Sequence, residues 1–376
     1  MRKKVLSLLL AAAMGAGLTA CGGSAQPESA KTEAEAKTEA PKAESTEAGT
    51  PAAESKTAEE GGKRDDLKLT IYSAVFEDQT QATVKAFEEA TGVKTQCVVL
   101  GGGEILARVR AEKDNATASI WWGGPCDSHI TGKEEGLLAQ YNSPNAEQIE
   151  AKYKDPDGYW VGTYIGYVGF VSNVDRCKEL GIDPPKSWAD LLNPKLKGEI
   201  EMASPTASST GYVILASILQ LMGEEKGWDY AKALDENVFQ YTERGSGCIN
   251  DVKIGEVAVG ICFAHDAIKN QLEGFEDLLV VTTPSEGTGY ETGAMAILKD
   301  GPDQEAARMF YDWALTPEAQ EIGQQYGAFQ FLTAPGAKNP KETEQISDAK
   351  TITYDTAWAG SHKEEFQTKW ADMTGR

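Results

Sequence analysis

Between positions 204 and 210 the chain places five hydroxyl side chains, Ser204, Thr206, Ser208, Ser209 and Thr210, just ahead of an apolar helical stretch. Hydroxyls and the unpaired N–H groups of a helix start are hydrogen-bond donors, and together they can solvate an anion without a basic side chain. The same residues also suit an ordinary N-cap followed by turns, so local sequence leaves both readings open. Gly101-Gly102-Gly103, Gly123-Gly124 and Gly245-Ser246-Gly247 are turns that allow close backbone approach to a ligand. His265-Asp266 follows an apolar strand, where cleft residues commonly stand. Asp266 can accept hydrogen bonds from ligand hydroxyls, and His265 can donate to an anion. A structural helix cap at Asp266 is the plainer alternative.

Other constellations are weaker. Histidine, aspartate and serine are the residue types of a hydrolase triad. No Gly-x-Ser-x-Gly elbow is present, however. Adjacent residues on an extended chain also face opposite ways, so His265 and Asp266 are not expected to align. The reading is therefore a binder and not an enzyme. Apart from Cys21 the cysteines are Cys97, Cys126, Cys177, Cys248 and Cys262, an odd set with no metal-type spacing. That set suggests mostly buried thiols and allows one bridge. Cys126 and His129 are too isolated for a metal site. Asp127, after Gly-Gly-Pro, can cap a helix or touch the ligand, capping being the plainer reading, and Tyr164 and Tyr167 read as packing residues in a hinge. Trp121 and Trp122 alternate in a strand, so at most one of them faces a cleft.

The elements that must position these residues alternate. The pattern predicts strands over 67–73, 93–100 and 118–122, with helices over 80–90 and 104–113 between them. A long glycine-spaced β segment is expected over 159–173. A second series follows: strands over 199–202, 257–263, 278–283 and 294–298, and helices over 208–222, 228–234 and 304–326, with Pro317 at a break in the last. Two strand–helix series joined by long strands indicate an α/β protein with two lobes and a ligand cleft between them.

The chain has 376 residues and a formal net charge of −22, which argues against nucleic acid and anionic lipid surfaces as partners. It opens with Arg2, Lys3 and Lys4, then a short apolar run that ends in Leu18-Thr19-Ala20-Cys21. The run is too short to span a bilayer and has the shape of a secretory signal. Its end resembles the lipobox of bacterial lipoproteins, which implies cleavage before Cys21 and lipidation of that thiol. The stretch from 22 to about 66 is rich in Ala, Glu, Lys and Thr and has no aromatic residue, so it reads as a tether. Signal and tether together leave a body of about 310 residues, enough for two lobes with full cores.

Several segments of that body resemble a family. They are Ser187-Trp188-Ala189-Asp190-Leu191-Leu192 ahead of Leu196-Lys197-Gly198, Ala203-Ser204-Pro205-Thr206 through Gly211-Tyr212, Ile254-Gly255-Glu256-Val257-Ala258-Val259-Gly260, Pro284-Ser285-Glu286-Gly287-Thr288-Gly289-Tyr290-Glu291, and Trp313-Ala314-Leu315 ahead of Glu318-Ala319-Gln320. In order, they resemble an extracellular solute-binding protein of an ABC importer, in the ferric-iron type of the two-lobed class. The resemblance implies a type II periplasmic-binding-protein fold, with lobe one over 67–165 and 286–328 and lobe two over 166–285 and 329–376. It also implies a monomer that closes on a small ligand and hands it to a membrane permease. Ferric-iron members use adjacent tyrosines and often an early histidine. This chain has no Tyr-Tyr pair, and its only histidines are His129, His265 and His362.

The chain looks closer to the branch that binds hexose phosphates and other organophosphates, with ferric iron as the alternative and no other cofactor. That resemblance implies a His-Asp pair with a later glutamate at the sugar, here His265, Asp266 and either Glu286 or Glu291. Ser73, Gly102, Gly103, Gly124, Ser204, Thr206, Ser208, Ser209, Thr210, Ser246 and Tyr290 complete the candidate ligand-binding set.

Overall fold

The computed structural model describes residues 62–375; the leader expected over 1–20, the lipidation expected at Cys21 and nearly all of the tether expected over 21–66 lie outside the described residues. The folded body starts ahead of Leu67. The Arg64 N–H donates to the Thr91 carbonyl at 2.7 Å, and the Arg64 guanidinium holds Asp66 at 2.9 Å and Glu305 at 2.5 Å.

The predicted alternation is present. β1 (Lys68–Ser73), α1 (Glu77–Thr91), β2 (Lys94–Val99), α2 (Gly102–Ala111), β3 (Ile120–Pro125), α3 (Cys126–Glu134) and the short β4 (Leu138–Ala139) come first. Next are β5 (Val161–Asn173), α4 (Val174–Leu180), β6 (Ile200–Ala203), α5 (Ser209–Met222), α6 (Glu224–Asp235), β7 (Val238–Thr242), α7 (Cys248–Ile254), β8 (Val259–Phe263), α8 (Ala264–Gln271) and β9 (Leu279–Thr282). β10 (Tyr290–Leu298), α9 (Gln304–Ala314), α10 (Pro317–Glu321), β11 (Phe331–Leu332), α11 (Thr356–Ser361) and α12 (Lys363–Thr374) complete the body.

The long strand β5 belongs to two sheets. Its first half pairs antiparallel with β10, Tyr167 opposite Tyr290. Its second half pairs antiparallel with β8, Val168 opposite Phe263. The first sheet runs β2-β1-β3-β10-β5, with β1 parallel to β2 and β3. The second runs β5-β8-β6-β7, with β6 parallel to both neighbours. Two lobes sharing one strand are the type II binding-protein arrangement.

Each sheet buries both faces, as parallel strands covered by helices must. In the first lobe Ile71, Trp122, Phe87 and Phe310 pack on one side, and Tyr72, Trp121 and Ile105 on the other. Both tryptophans are therefore core. In the second lobe α5 is buried from Gly211 to Leu219. α12 closes that core, with the Phe366 ring edge-on to Trp228 and Trp370 edge-on to Tyr241.

Some expectations shift. The Glu104 carboxylate accepts the Gly101 N–H at 2.7 Å. That capping bond pulls Gly102 and Gly103 into the first turn of α2, where a loop was expected. His265 and Asp266 stand on the first turn of α8 and not on an extended chain. Tyr290 and Glu291 lie within β10, where pairing to β5 recruits what local sequence reads as a glycine turn. The chain also stays with the first sheet beyond 328, because Phe331 pairs with Ile165. It rejoins the second lobe where Ile346 packs on Ala264 and Ile268.

Candidate functional site

Where β6 ends, the chain turns through 204–208 into α5. Ser208 is the N-cap, its hydroxyl accepting the Gly211 N–H at 3.5 Å. Ser204 and Thr206 hydrogen-bond each other at 2.7 Å, and Thr206 is exposed. Thr210 is covered by the 245–247 turn; a Cβ at Gly245 would stand 2.1 Å from its Oγ1. Ser209 faces the first lobe, where a Cβ at Gly102 would lie 3.9 Å from its hydroxyl. Gly102 in turn packs on Gly124, which has φ +80 and so needs a residue without a side chain. The N-termini of α2 and α5 therefore converge from opposite lobes, with half-buried hydroxyls between them.

The contacts continue inward. The Gly124 N–H donates to the Tyr164 hydroxyl at 3.1 Å. Tyr164 is buried, and Glu291 and Asp266 lie close enough to act on its titration. Glu291, His265 and Asp266 form one cluster: the His265 Nε2 is 3.5 Å from Asp266 Oδ1 and 3.7 Å from Glu291 Oε1. His265 Nδ1 is buried without a partner. A Cβ at Gly166 on β5 would fall 2.6 Å from the imidazole and 2.8 Å from the Glu291 carboxylate, so only glycine leaves room for both.

Burial sets the charge of this cluster. It pushes Glu291 well above the usual carboxylate range, and nearby Asp266 and Asp127 push the same way. It raises Asp266 too, against the pull of His265 and Lys269. It lowers His265, with Asp266 opposing. The cluster thus favours a neutral acid beside a neutral imidazole.

Asp127 is not a cap: α3 has no side-chain cap, and the Asp127 carboxylate instead forms an ion pair with Lys363 from α12. Its other oxygen is buried without a partner. The Lys363 ammonium also meets Ser128 Oγ at 3.4 Å and lies over the Tyr212 ring.

The structure brings Gly102, Gly124, Ser208, Ser209 and Thr210 together, and it joins His265, Asp266 and Glu291. It sets other candidates apart. Glu286 is occupied by the Trp188 and Ala189 N–H groups, each at 3.1 Å, so of the two glutamates it is Glu291 that meets His265. Ser73 is fully buried and bonded to Thr80 at 2.8 Å. Tyr290 is core, its ring against Tyr153 and Tyr354. Gly103 and Ser246 are exposed at the rim. Sequence reasoning read Tyr164 as packing, favoured capping over ligand contact for Asp127, and passed over Lys363. Nothing local marks Lys363, which meets Asp127 only through the tertiary fold. His129 stacks on Trp121 with ring centroids 4.0 Å apart, and burial holds it down at about 3, a packing role. Among the described residues no group of three or more His, Cys, Asp or Glu is placed to hold a metal.

The family of bacterial extracellular solute-binding proteins matches residues 129–357. A Haemophilus influenzae protein described as uncharacterized is 37% identical over 294 residues, spanning 77% of this chain and 84% of its own. The solved structure of the periplasmic binding protein AfuA from Actinobacillus pleuropneumoniae, with exogenous fructose-6-phosphate bound, is 38% identical. It superposes with a TM-score of 0.77 over 82% of this chain and 98% of that one. The Fe(3+)-binding periplasmic protein of Serratia marcescens is 23% identical, over 79% of this chain and 88% of its own.

Proposed function

The chain belongs to the bacterial extracellular solute-binding proteins, and on that footing we propose that it captures a sugar phosphate or related organophosphate and delivers it to an ABC permease. The observation that carries this reading is the convergence of the α2 and α5 N-termini at Gly102, Gly124 and Ser209, with the buried Tyr164 hydroxyl behind Gly124 and the His265, Asp266 and Glu291 cluster near enough to act on its titration. One end offers neutral hydroxyl and amide donors under two helix N-termini, a setting for phosphate. The other offers acceptors and donors at close quarters, a setting for a polyol. The likeness to AfuA, solved with fructose-6-phosphate bound, supports the same class.

The mechanism is a population shift. Ser209 stands on one lobe and Gly102 and Gly124 on the other, so a ligand touching both favours the closed form. Closure removes water and strengthens each hydrogen bond to the phosphate. Neutral Glu291 and His265 add no charge to repel the anion. The protein releases its ligand unchanged, with no turnover. Cys21, outside the described residues, would carry the lipid that holds the body at the membrane, and the body acts as a monomer. A mass increase on the mature N-terminal cysteine tests the anchor.

Calorimetry with fructose 6-phosphate, glucose 6-phosphate, fructose, inorganic phosphate and ferric citrate tests the ligand class. The phosphate esters should bind and the free sugar should not. Binding of ferric citrate alone, or consumption of a phosphate ester, overturns the proposal.

A further inference from the structure

Cys248 and Cys262 are both fully buried and lie on facing elements of the second lobe, the start of α7 and the strand β8. On β8, Gly260 and Cys262 share a face, two residues apart. A Cβ at Gly260 would come within 2.9 Å of the Cys248 sulfur, which puts that sulfur over this face. Both cysteines are free thiols in this structure, and the Cys248 thiol donates at 3.7 Å to the carbonyl of Ile261, the residue next to Cys262. Both side chains pack in one apolar cluster with Val171, Ile249 and Val252. The remaining described cysteines sit apart: Cys97 beside Gln81, Cys126 in the first-lobe core and Cys177 in the second-lobe core.

We infer that Cys248 and Cys262 form a disulfide in the exported protein. Members of this family work outside the cytoplasm, where thiols meet oxidising conditions. The step is thiol–disulfide exchange. The two thiols lose two protons and two electrons and gain one S–S bond, while a disulfide-bearing oxidant, protein or small molecule, is reduced to two thiols. Exchange takes place during folding, before the pair is covered, because in the finished lobe both sulfurs are fully buried in an apolar cluster and out of reach. The bond then resists reductants for the same reason. It joins the start of α7, directly after the 245–247 turn that covers Thr210, to β8, which leads into His265-Asp266 on α8. The inference is independent of the ligand reading.

The test uses the full exported chain. It is unfolded in guanidinium with excess maleimide, with and without prior reduction, and its peptides are mapped by mass. Cys97, Cys126 and Cys177 should label in both samples. Cys248 and Cys262 should label only after reduction, and before it should appear as one linked peptide pair. Labelling of both without reductant overturns the inference. As a second readout, protein refolded without oxidant should melt roughly 3–6 °C below the oxidised form, with Cys248→Ser matching the lower value. Identical melting of the two forms counts against the bond.

Discussion

Glu286 and Glu291 are near neighbours in the chain and do unrelated work. Glu286 spends its carboxylate on two backbone N–H groups, while Glu291 is buried against His265 and Gly166. Because burial favours the neutral acid at Glu291, Glu291→Gln should hold sugar-phosphate affinity within about threefold. Asp266→Ala, which removes an acceptor outright, should lower it about 10–100-fold. Calorimetry decides, and loss of binding in Glu291→Gln would remove the neutral-acid reading. The hydroxyls divide in the same way. Ser208 caps α5, so Ser208→Ala should cost about 1 kcal/mol of stability besides any loss of affinity. Ser209 does not cap; Ser209→Ala should weaken phosphate esters about tenfold and leave Tm nearly unchanged. Equal effects of both changes on melting would argue against this division.

At the scale of elements, β6 carries a second buried acid. Glu201 is fully buried between β7 and β8, one oxygen accepting from Gln240 Nε2 at 2.6 Å and the other without a partner. Burial pushes it up to about 7, nearby Asp251 adds to the rise, and the Gln240 bond opposes it. A raised carboxyl means the folded state holds its proton more tightly than the unfolded chain. That stabilisation is complete below the ordinary value of about 4.3 and is lost as pH rises through 7. Thermal melts from pH 5 to 7.5 should therefore fall more steeply for the parent than for Glu201→Gln; parallel curves would exclude Glu201 as the source. The neighbouring elements also show what pattern alone conveys. Period-2 apolar runs marked β1, β6 and β8 because a buried strand needs them locally. The start of β10 was hidden, because Tyr290 and Glu291 become strand only by pairing with β5.

At the scale of the molecule, α12 packs its Phe366 and Trp370 into the second lobe while its Lys363 reaches Asp127 on the first. The ion pair is largely buried, its side chains 17% and 4% exposed. Breaking one partner leaves an uncompensated charge. Lys363→Met should thus raise the radius of gyration of the ligand-free protein in solution scattering and weaken ligand binding about tenfold. Adding Asp127→Asn should restore most of both. If the single variant scatters like the parent, the pair does not hold the lobes together.

The amino-acid order alone determined the residue types available for chemistry, the strand–helix alternation and the hydroxyl-rich start of α5. These follow from local propensity, spacing and solvation, which neighbours in the chain decide. Only the tertiary structure decided that Glu291 and not Glu286 meets His265, that the Tyr164 hydroxyl accepts from Gly124, and that Asp127 answers Lys363. Those choices rest on sheet register and lobe packing between residues far apart in sequence, where the free energy of burial selects partners that no local pattern encodes.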